Sequence, residues 1–203
     1  MEKVTLDELY AFAEEKRDIL FDQAAQYDRD PKIYLHWTAG HYGQFFEGHK
    51  DYHVMIDGNG DIYYKWPFDT TTDGTWRRNT GAVNIALCCG VGAGSRDLGS
   101  EPPTEKQIEV LAQVIWKIAD ALWLTIDKKH VLTHGEAANN EDGYFDAHMP
   151  YSWWNDSYGD GDTRGDLEYL GTEESPSYNP HATDGTRGGD VLRGKANWYR
   201  ENS

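Results

Sequence analysis

Two histidines stand where a fold of alternating strands and helices places its chemistry. His36 lies near the end of the β-rich run Ile33-Tyr34-Leu35-His36-Trp37, and His134 follows Val131-Leu132-Thr133, so each falls where an expected strand gives way to a loop. Open α/β sheets carry their reactive groups at such strand ends. Two imidazoles brought together there, completed by a carboxylate or a thiolate, supply three protein ligands and leave a fourth zinc position for water. That is the open geometry of a hydrolytic zinc site. Of the other histidines, His53 lies inside an expected hairpin strand and reads as structural. His41, His49, His130 and His181 have no partner pattern and read as surface groups. Cys88 and Cys89 are adjacent in sequence, so a disulfide between them would be strained, and neighbouring strand side chains cannot both face one metal.

The elements that must position these groups follow from pattern and punctuation. Thr5 and Glu8 have capping-box spacing, and Leu6, Leu9, Tyr10, Ala13, Leu20, Ala24 and Tyr27 recur at helical intervals until Asp30-Pro31 stops them. Tyr52–Ile56, the turn Asp57-Gly58-Asn59-Gly60, and Asp61–Trp66 read as a hairpin. The same turn resembles the start of a calcium loop, but Ile62 and Phe68 stand where the required Gly and bidentate Glu belong. Val83 to Cys89 is an apolar stretch between glycines and predicts a central buried strand. Pro102-Pro103-Thr104 introduces a second helix, with Thr104 and Gln107 as the capping pair and Ile108, Leu111, Ala112, Ile115, Ile118, Ala119 and Leu122 as its buried stripe. From Asn139 to Thr163 the chain carries six acidic residues, no Lys or Arg, and Tyr144, Phe145, Tyr151, Trp153, Trp154 and Tyr158, the composition of a long polar and aromatic loop. Residues 171–190 turn to Gly, Ser, Pro, Thr and Asn and read as irregular, with a short returning helix at the end.

The expected architecture is a single α/β domain, a central mixed β-sheet flanked by helices. Its parts are an N-terminal helix over 1–30, a catalytic core over 31–170 with an inserted loop over 139–163, and an irregular C-terminal segment over 171–203 packing on the core. A chain of 203 residues is long enough for a real core. Thirty-five acidic residues against nineteen basic ones give a formal charge of −16, which opposes binding to nucleic acid or an anionic membrane. No apolar run approaches the roughly 18 residues that span a bilayer, and the start, MEKVTLDELYAF, lacks the basic-then-apolar order of a signal peptide. Eight Trp and thirteen Tyr are an unusual load for so acidic a chain.

In their order, His36-Trp37-Thr38-Ala39-Gly40, Tyr52-His53-Val54-Met55-Ile56-Asp57-Gly58-Asn59-Gly60, Thr133-His134-Gly135-Glu136 and Arg164-Gly165-Asp166 resemble the zinc N-acetylmuramoyl-L-alanine amidases. These form the type-2 amidase and peptidoglycan-recognition-protein superfamily, and the resemblance spans about residues 31–170. It implies hydrolysis of the amide between N-acetylmuramic acid and L-alanine in bacterial peptidoglycan. It also implies Zn²⁺ held by His36, His134 and Asp166. Tyr52 matches a tyrosine that relatives place near the metal-bound water, and Arg164 stands where they carry a lysine. An arginine there stabilises an oxyanion but donates no proton at neutral pH. Some relatives use a glutamate in the central strand as general base; Cys88 matches that position, which leaves proton handling to Tyr52.

His134 and Asp166 lie 32 positions apart, which exceeds the interval of many relatives and leaves Asp160, Asp162 and His148 as competing third ligands. Trp37, Trp153 and Trp154 are the expected substrate-binding aromatics, and Glu136 and Thr38 the candidate orienters of the imidazoles. The resemblance makes peptidoglycan the partner, with an immunity or inhibitor protein as a further candidate, and neither nucleic acid nor membrane insertion is expected. A cytoplasmically made enzyme of this kind reaches the wall after holin-type or secretion-system release, and a phage or prophage endolysin is the favoured reading. The alternatives are a recognition module without catalysis, or a secreted antibacterial hydrolase cutting within the stem peptide.

Overall fold

Thr5 caps the first helix in both directions: its hydroxyl accepts from the Glu8 N–H at 3.2 Å, and the Glu8 carboxylate accepts from the Thr5 N–H at 2.7 Å. The helix so started is α1, Leu6–Ala25, preceded by a short strand β1, Glu2–Val4, that the sequence pattern does not announce. The computed structural model describes residues 1–93, 98–143, 165–168, 170 and 187–203. Along it follow β2 (Lys32–Trp37), β3 (Val54–Ile56), β4 (Ile62–Tyr64), β5 (Ala82–Leu87), α2 (Glu105–Ala121), β6 (Val131–Thr133), α3 (His134–Ala138) and α4 (Gly188–Asn202).

The six strands form one mixed sheet in the order β1-β4-β3-β5-β2-β6. The β1–β4–β3 end is antiparallel, and β3, β5, β2 and β6 run parallel. Every residue of β2 and β5 is buried, as parallel strands covered on both faces require. Side-chain alternation divides their work. Ile33, Leu35 and Trp37 of β2 join Val83, Ile85 and Leu87 of β5 in a core shared with the buried stripes of α1, α2 and α4. Tyr34, His36 and Asn84 lie on the other face of the two strands, because a strand's neighbours point opposite ways.

The hairpin turn is closed by Asp57, whose carboxylate accepts from the N–H groups of Asn59 and Asp61, both at 2.9 Å. Those bonds are those of an Asx turn. The returning helix expected at the C-terminal end is present and longer than expected: it is α4, a 15-residue helix that begins at Gly188, inside the stretch read as irregular, and its Val191, Leu192 and Ala196 are buried in the core. Gly188, Gly189 and Gly194 lower its intrinsic propensity, so packing and not local preference makes the helix. Among the described residues no helix is long and apolar enough to cross a membrane.

Candidate metal centre

Register brings the two histidines together. Leu35 pairs with Thr133 across the parallel β2–β6 ladder, so His36 and His134, each one residue further on, meet at the strands' carboxyl ends. Thr133 ends β6 and also caps α3. Its hydroxyl accepts from the Glu136 N–H at 3.2 Å and the Glu136 carboxylate accepts from its own N–H at 2.9 Å, which turns the chain sharply and leaves His134 as the first helical residue. Asp166 arrives from the far side of the inserted segment. The ligand atoms of His36, His134 and Asp166 all lie within 4.8 Å of one another. His36 Nδ1 is 3.2 Å from His134 Nδ1 and 3.2 Å from Asp166 Oδ2, and His134 Nδ1 is 3.3 Å from Asp166 Oδ2.

Three features of this set suit a cation. Among the described residues no group donates a hydrogen bond to the buried Asp166 Oδ1 atom; His134 Nδ1 lies 3.3 Å away without the alignment of one. A buried carboxylate oxygen left so is costly unless something else takes its lone pairs. Burial alone would raise the Asp166 carboxyl, but His134 and His36 beside it hold it below the usual carboxylate range, so it stands ready as an anion. The third feature is the tautomer of His36. Its Nε2 lies 2.8 Å from Asn84 Oδ1, and Asn84's amide is oriented by donating through Nδ2 to Thr72 Oγ1 at 2.8 Å and to Asn79 Oδ1 at 3.1 Å. Oδ1 is therefore an acceptor, Nε2 carries the proton, and the Nδ1 lone pair points at the ligand cluster. Two nitrogens and one carboxylate oxygen are a donor set that zinc takes.

Tyr52 stands beside this cluster, its ring centroid 5.2 Å from that of His36 and its hydroxyl donating to the Trp37 carbonyl at 3.4 Å. Burial, with Asp166 adding to it, pushes the phenol far above its ordinary value, so Tyr52 keeps its proton. Cys88, on the site face after β5, is likewise a neutral thiol, pushed up to about 12 by burial. His53 is a structural residue: its Nδ1 accepts from the Asn84 N–H at 3.0 Å, its Nε2 donates to the Thr70 carbonyl at 2.8 Å, and burial pushes it down to about 4.

Other expectations are redirected. Trp37 is only 6% exposed and packs in the apolar core, since His36 takes the site face and its neighbour must take the opposite one. It supports the site from below and offers no face to a sugar. Glu136 is fully buried and holds Arg193 of α4 through two bonds of 2.7 and 2.8 Å. Thr38 spends its hydroxyl on the Gly40 N–H at 3.2 Å. His130 is buried and bonded to Asp127 and Thr125 instead of lying free on the surface. Arg164, Trp153 and Trp154, and the competing ligands Asp160, Asp162 and His148, lie outside the described residues. Asn84 and Thr75 are contributors that the sequence reading passed over. Thr75 Oγ1 donates to Asn84 Oδ1 at 2.8 Å and lies 3.3 Å from His36 Nε2. The signal was there, for Asn84 is the sole polar residue in the strand AVNIAL.

Residues 24–144, more than half of the chain, match the family described as N-acetylmuramoyl-L-alanine amidase. No curated protein sequence matches. Among solved structures, the endolysin N-acetylmuramoyl-L-alanine amidase LysCS from Clostridium intestinale URNW aligns at 18% identity and a TM-score of 0.41, over 53% of this chain and 71% of that one. The Ph2119 endolysin from a Thermus scotoductus bacteriophage aligns at 18% identity and a TM-score of 0.40, over 58% and 81%. The Drosophila peptidoglycan recognition protein SD aligns at 15% identity and a TM-score of 0.39, over 51% and 68%.

Proposed function

The chain belongs to the N-acetylmuramoyl-L-alanine amidase family, and from that premise we propose that it is a zinc-dependent hydrolase of the amide between N-acetylmuramic acid and L-alanine in peptidoglycan, acting as a phage or prophage endolysin. The observation that carries this reading is the convergence of His36, His134 and Asp166 with one buried Asp166 oxygen unbonded. A recognition module has no need of that set, and its completeness favours catalysis over binding alone.

His36, through Nδ1, His134, through Nδ1, and Asp166 would hold the metal, whose contribution when bound is Lewis acidity at the scissile carbonyl and a water acidified toward pH 7. Asn84 keeps His36 in the ligating tautomer. Tyr52, a phenol that burial keeps protonated, is the group placed to orient the attacking water or to hydrogen-bond the departing amine of the stem peptide. Arg164, two residues before Asp166, is assigned the oxyanion. The neutral thiol of Cys88 takes no part as a base.

Purified protein is expected to carry stoichiometric zinc by elemental analysis, and His36→Ala and Asp166→Ala to lose it together with lytic activity. Mass analysis of digested muropeptides should show stem peptides freed at L-alanine. A metal-free wild type that still binds cell walls would overturn the enzyme reading in favour of the recognition module. Fragments cut inside the stem peptide would move the scissile bond and leave the zinc chemistry standing.

A further inference from the structure

We propose that α4 is a working part of the metal centre, with Arg187 and Gly188 as positioning residues that hold Asp166 against the two histidines; this rests on the zinc reading above. Asp166 lies at the end of a long inserted segment and belongs to no strand or helix. Such a ligand needs an external support, and the contacts of its neighbours show where the support comes from.

Glu168, two residues beyond Asp166, accepts from the Thr133 hydroxyl, and Thr133 immediately precedes the ligand His134. The same carboxylate accepts from Arg187 Nε at 2.7 Å, and the Glu168 carbonyl accepts from the Gly188 N–H at 2.8 Å. Arg187 in turn donates through Nη1 to both oxygens of Glu141, at 2.7 and 2.6 Å, just after α3. Arg187 thus bridges the chain after His134 and the chain after Asp166. Charge-assisted bonds of this kind, one from Nε and a bifurcated pair from Nη1, are short and strong.

The backbone fit is equally specific. A Cβ at Gly188 would lie 1.6 Å from the Leu167 carbonyl oxygen, so only glycine lets the start of α4 approach the residue next to the ligand. Leu167 itself has φ +61°, a left-handed conformation rare for leucine, with its side chain fully buried in the core. A strained residue persists where its surroundings over-determine it, and here α4 is what surrounds it. One turn further on, Arg193 locks Glu136, so α4 grips both the helix headed by His134 and the segment carrying Asp166.

The test is zinc affinity of the full chain, measured on metal-stripped protein by chelator competition, with circular dichroism to establish folding. Arg187→Ala and Glu168→Gln are each expected to weaken zinc about 10- to 100-fold, the usual effect of removing a support of a metal ligand. Gly188→Ala should do the same or fail to fold, and Arg187→Ala and Glu168→Gln carry the test if it fails. In an Asp166→Ala background, where only the imidazoles remain, adding Arg187→Ala should weaken zinc by a smaller factor than it does in the wild-type background, because the part of the support that acts through Asp166 is already gone. Folded Arg187→Ala and Glu168→Gln proteins that bind zinc within about twofold of wild type would overturn this inference alone. A wild type that binds no zinc overturns it together with the proposed function.

Discussion

Replacing Asn84 by alanine removes the group that sets the proton of His36. Asn84 is fully buried, and four side-chain bonds meet on it: His36 Nε2, Thr75 Oγ1 and Thr72 Oγ1 at 2.8 Å, and Asn79 at 3.1 Å. At about 1 kcal/mol net for each hydrogen bond, their loss sets a scale of roughly 4 kcal/mol. Part of it returns, because the Thr75 hydroxyl, 3.3 Å from His36 Nε2, can rotate to accept the freed proton. The expected cost to the metal-free protein is therefore about 3 kcal/mol, read as a lower midpoint in urea at unchanged slope. Zinc affinity should fall about 10- to 100-fold, since the imidazole loses the partner that orients it. Asn84→Asp separates the two effects: it restores an acceptor at His36 Nε2 and so restores zinc binding, but it leaves the groups that faced Nδ2 without a donor and stays destabilised. An Asn84→Ala protein within 1 kcal/mol of wild type, with zinc affinity changed less than about twofold, would refute the assignment of the tautomer to Asn84.

Three further outcomes follow from buried groups. His53 has a folded value of about 4 against an ordinary 6.5, so between those values the unfolded chain takes a proton that the folded one refuses. Stability should fall as pH drops through that window, by up to roughly 3 kcal/mol, and His53→Gln should flatten the dependence in denaturation series from pH 7 to 4. Arg193→Ala would remove the closer of the two cations beside the fully buried Glu136 and leave only Lys128, 3.8 Å away, so the cost should fall toward the lower end of the about 3–5 kcal/mol for breaking a buried pair on one side; thermal and urea unfolding both report it. Trp37→Ala should cost about 3–5 kcal/mol of stability, and a folded variant with normal stability but weakened wall binding would mean that the ring meets substrate after all.

The parts of the fold that could be read in advance are those fixed by local rules. Both capping boxes, the stripe of α2 and the hairpin turn follow from residues within a few positions of one another, and all are present. The strand β1 was not legible, since Glu2 and Lys3 are exposed and are strand only because Tyr64 and Tyr63 pair with them. The helix α4 was legible as a short returning helix but not in its full length, because Gly188 and Gly189 argue against its first turn and its stabilising contacts lie far off in sequence. At the site, His36 and His134 announced themselves at strand ends, and Asp166 entered only through resemblance, because no local pattern links it to residues more than thirty positions away. Trp37 was misassigned although the evidence lay in the chain: the alternation that separates Cys88 from Cys89 also separates Trp37 from His36. α3 was overlooked for a similar reason, Thr133 and Glu136 having the spacing of a cap that was read as a strand end and a loose carboxylate.

The three ligands are 130 residues apart at their widest, from His36 to Asp166, and α4 reaches back over another stretch of chain to hold them. A ribosome makes the protein from the other end. When β2, β3, β4 and β5 have emerged, most of the sheet can pair, but β6 and its histidine are still to come, and Asp166 and Arg187 later still. Parallel pairings of such long sequence separation form slowly in any case. The centre is therefore completed only after most of the sheet, and a chain halted in translation short of Arg187 would have most of its sheet but an unsupported third ligand.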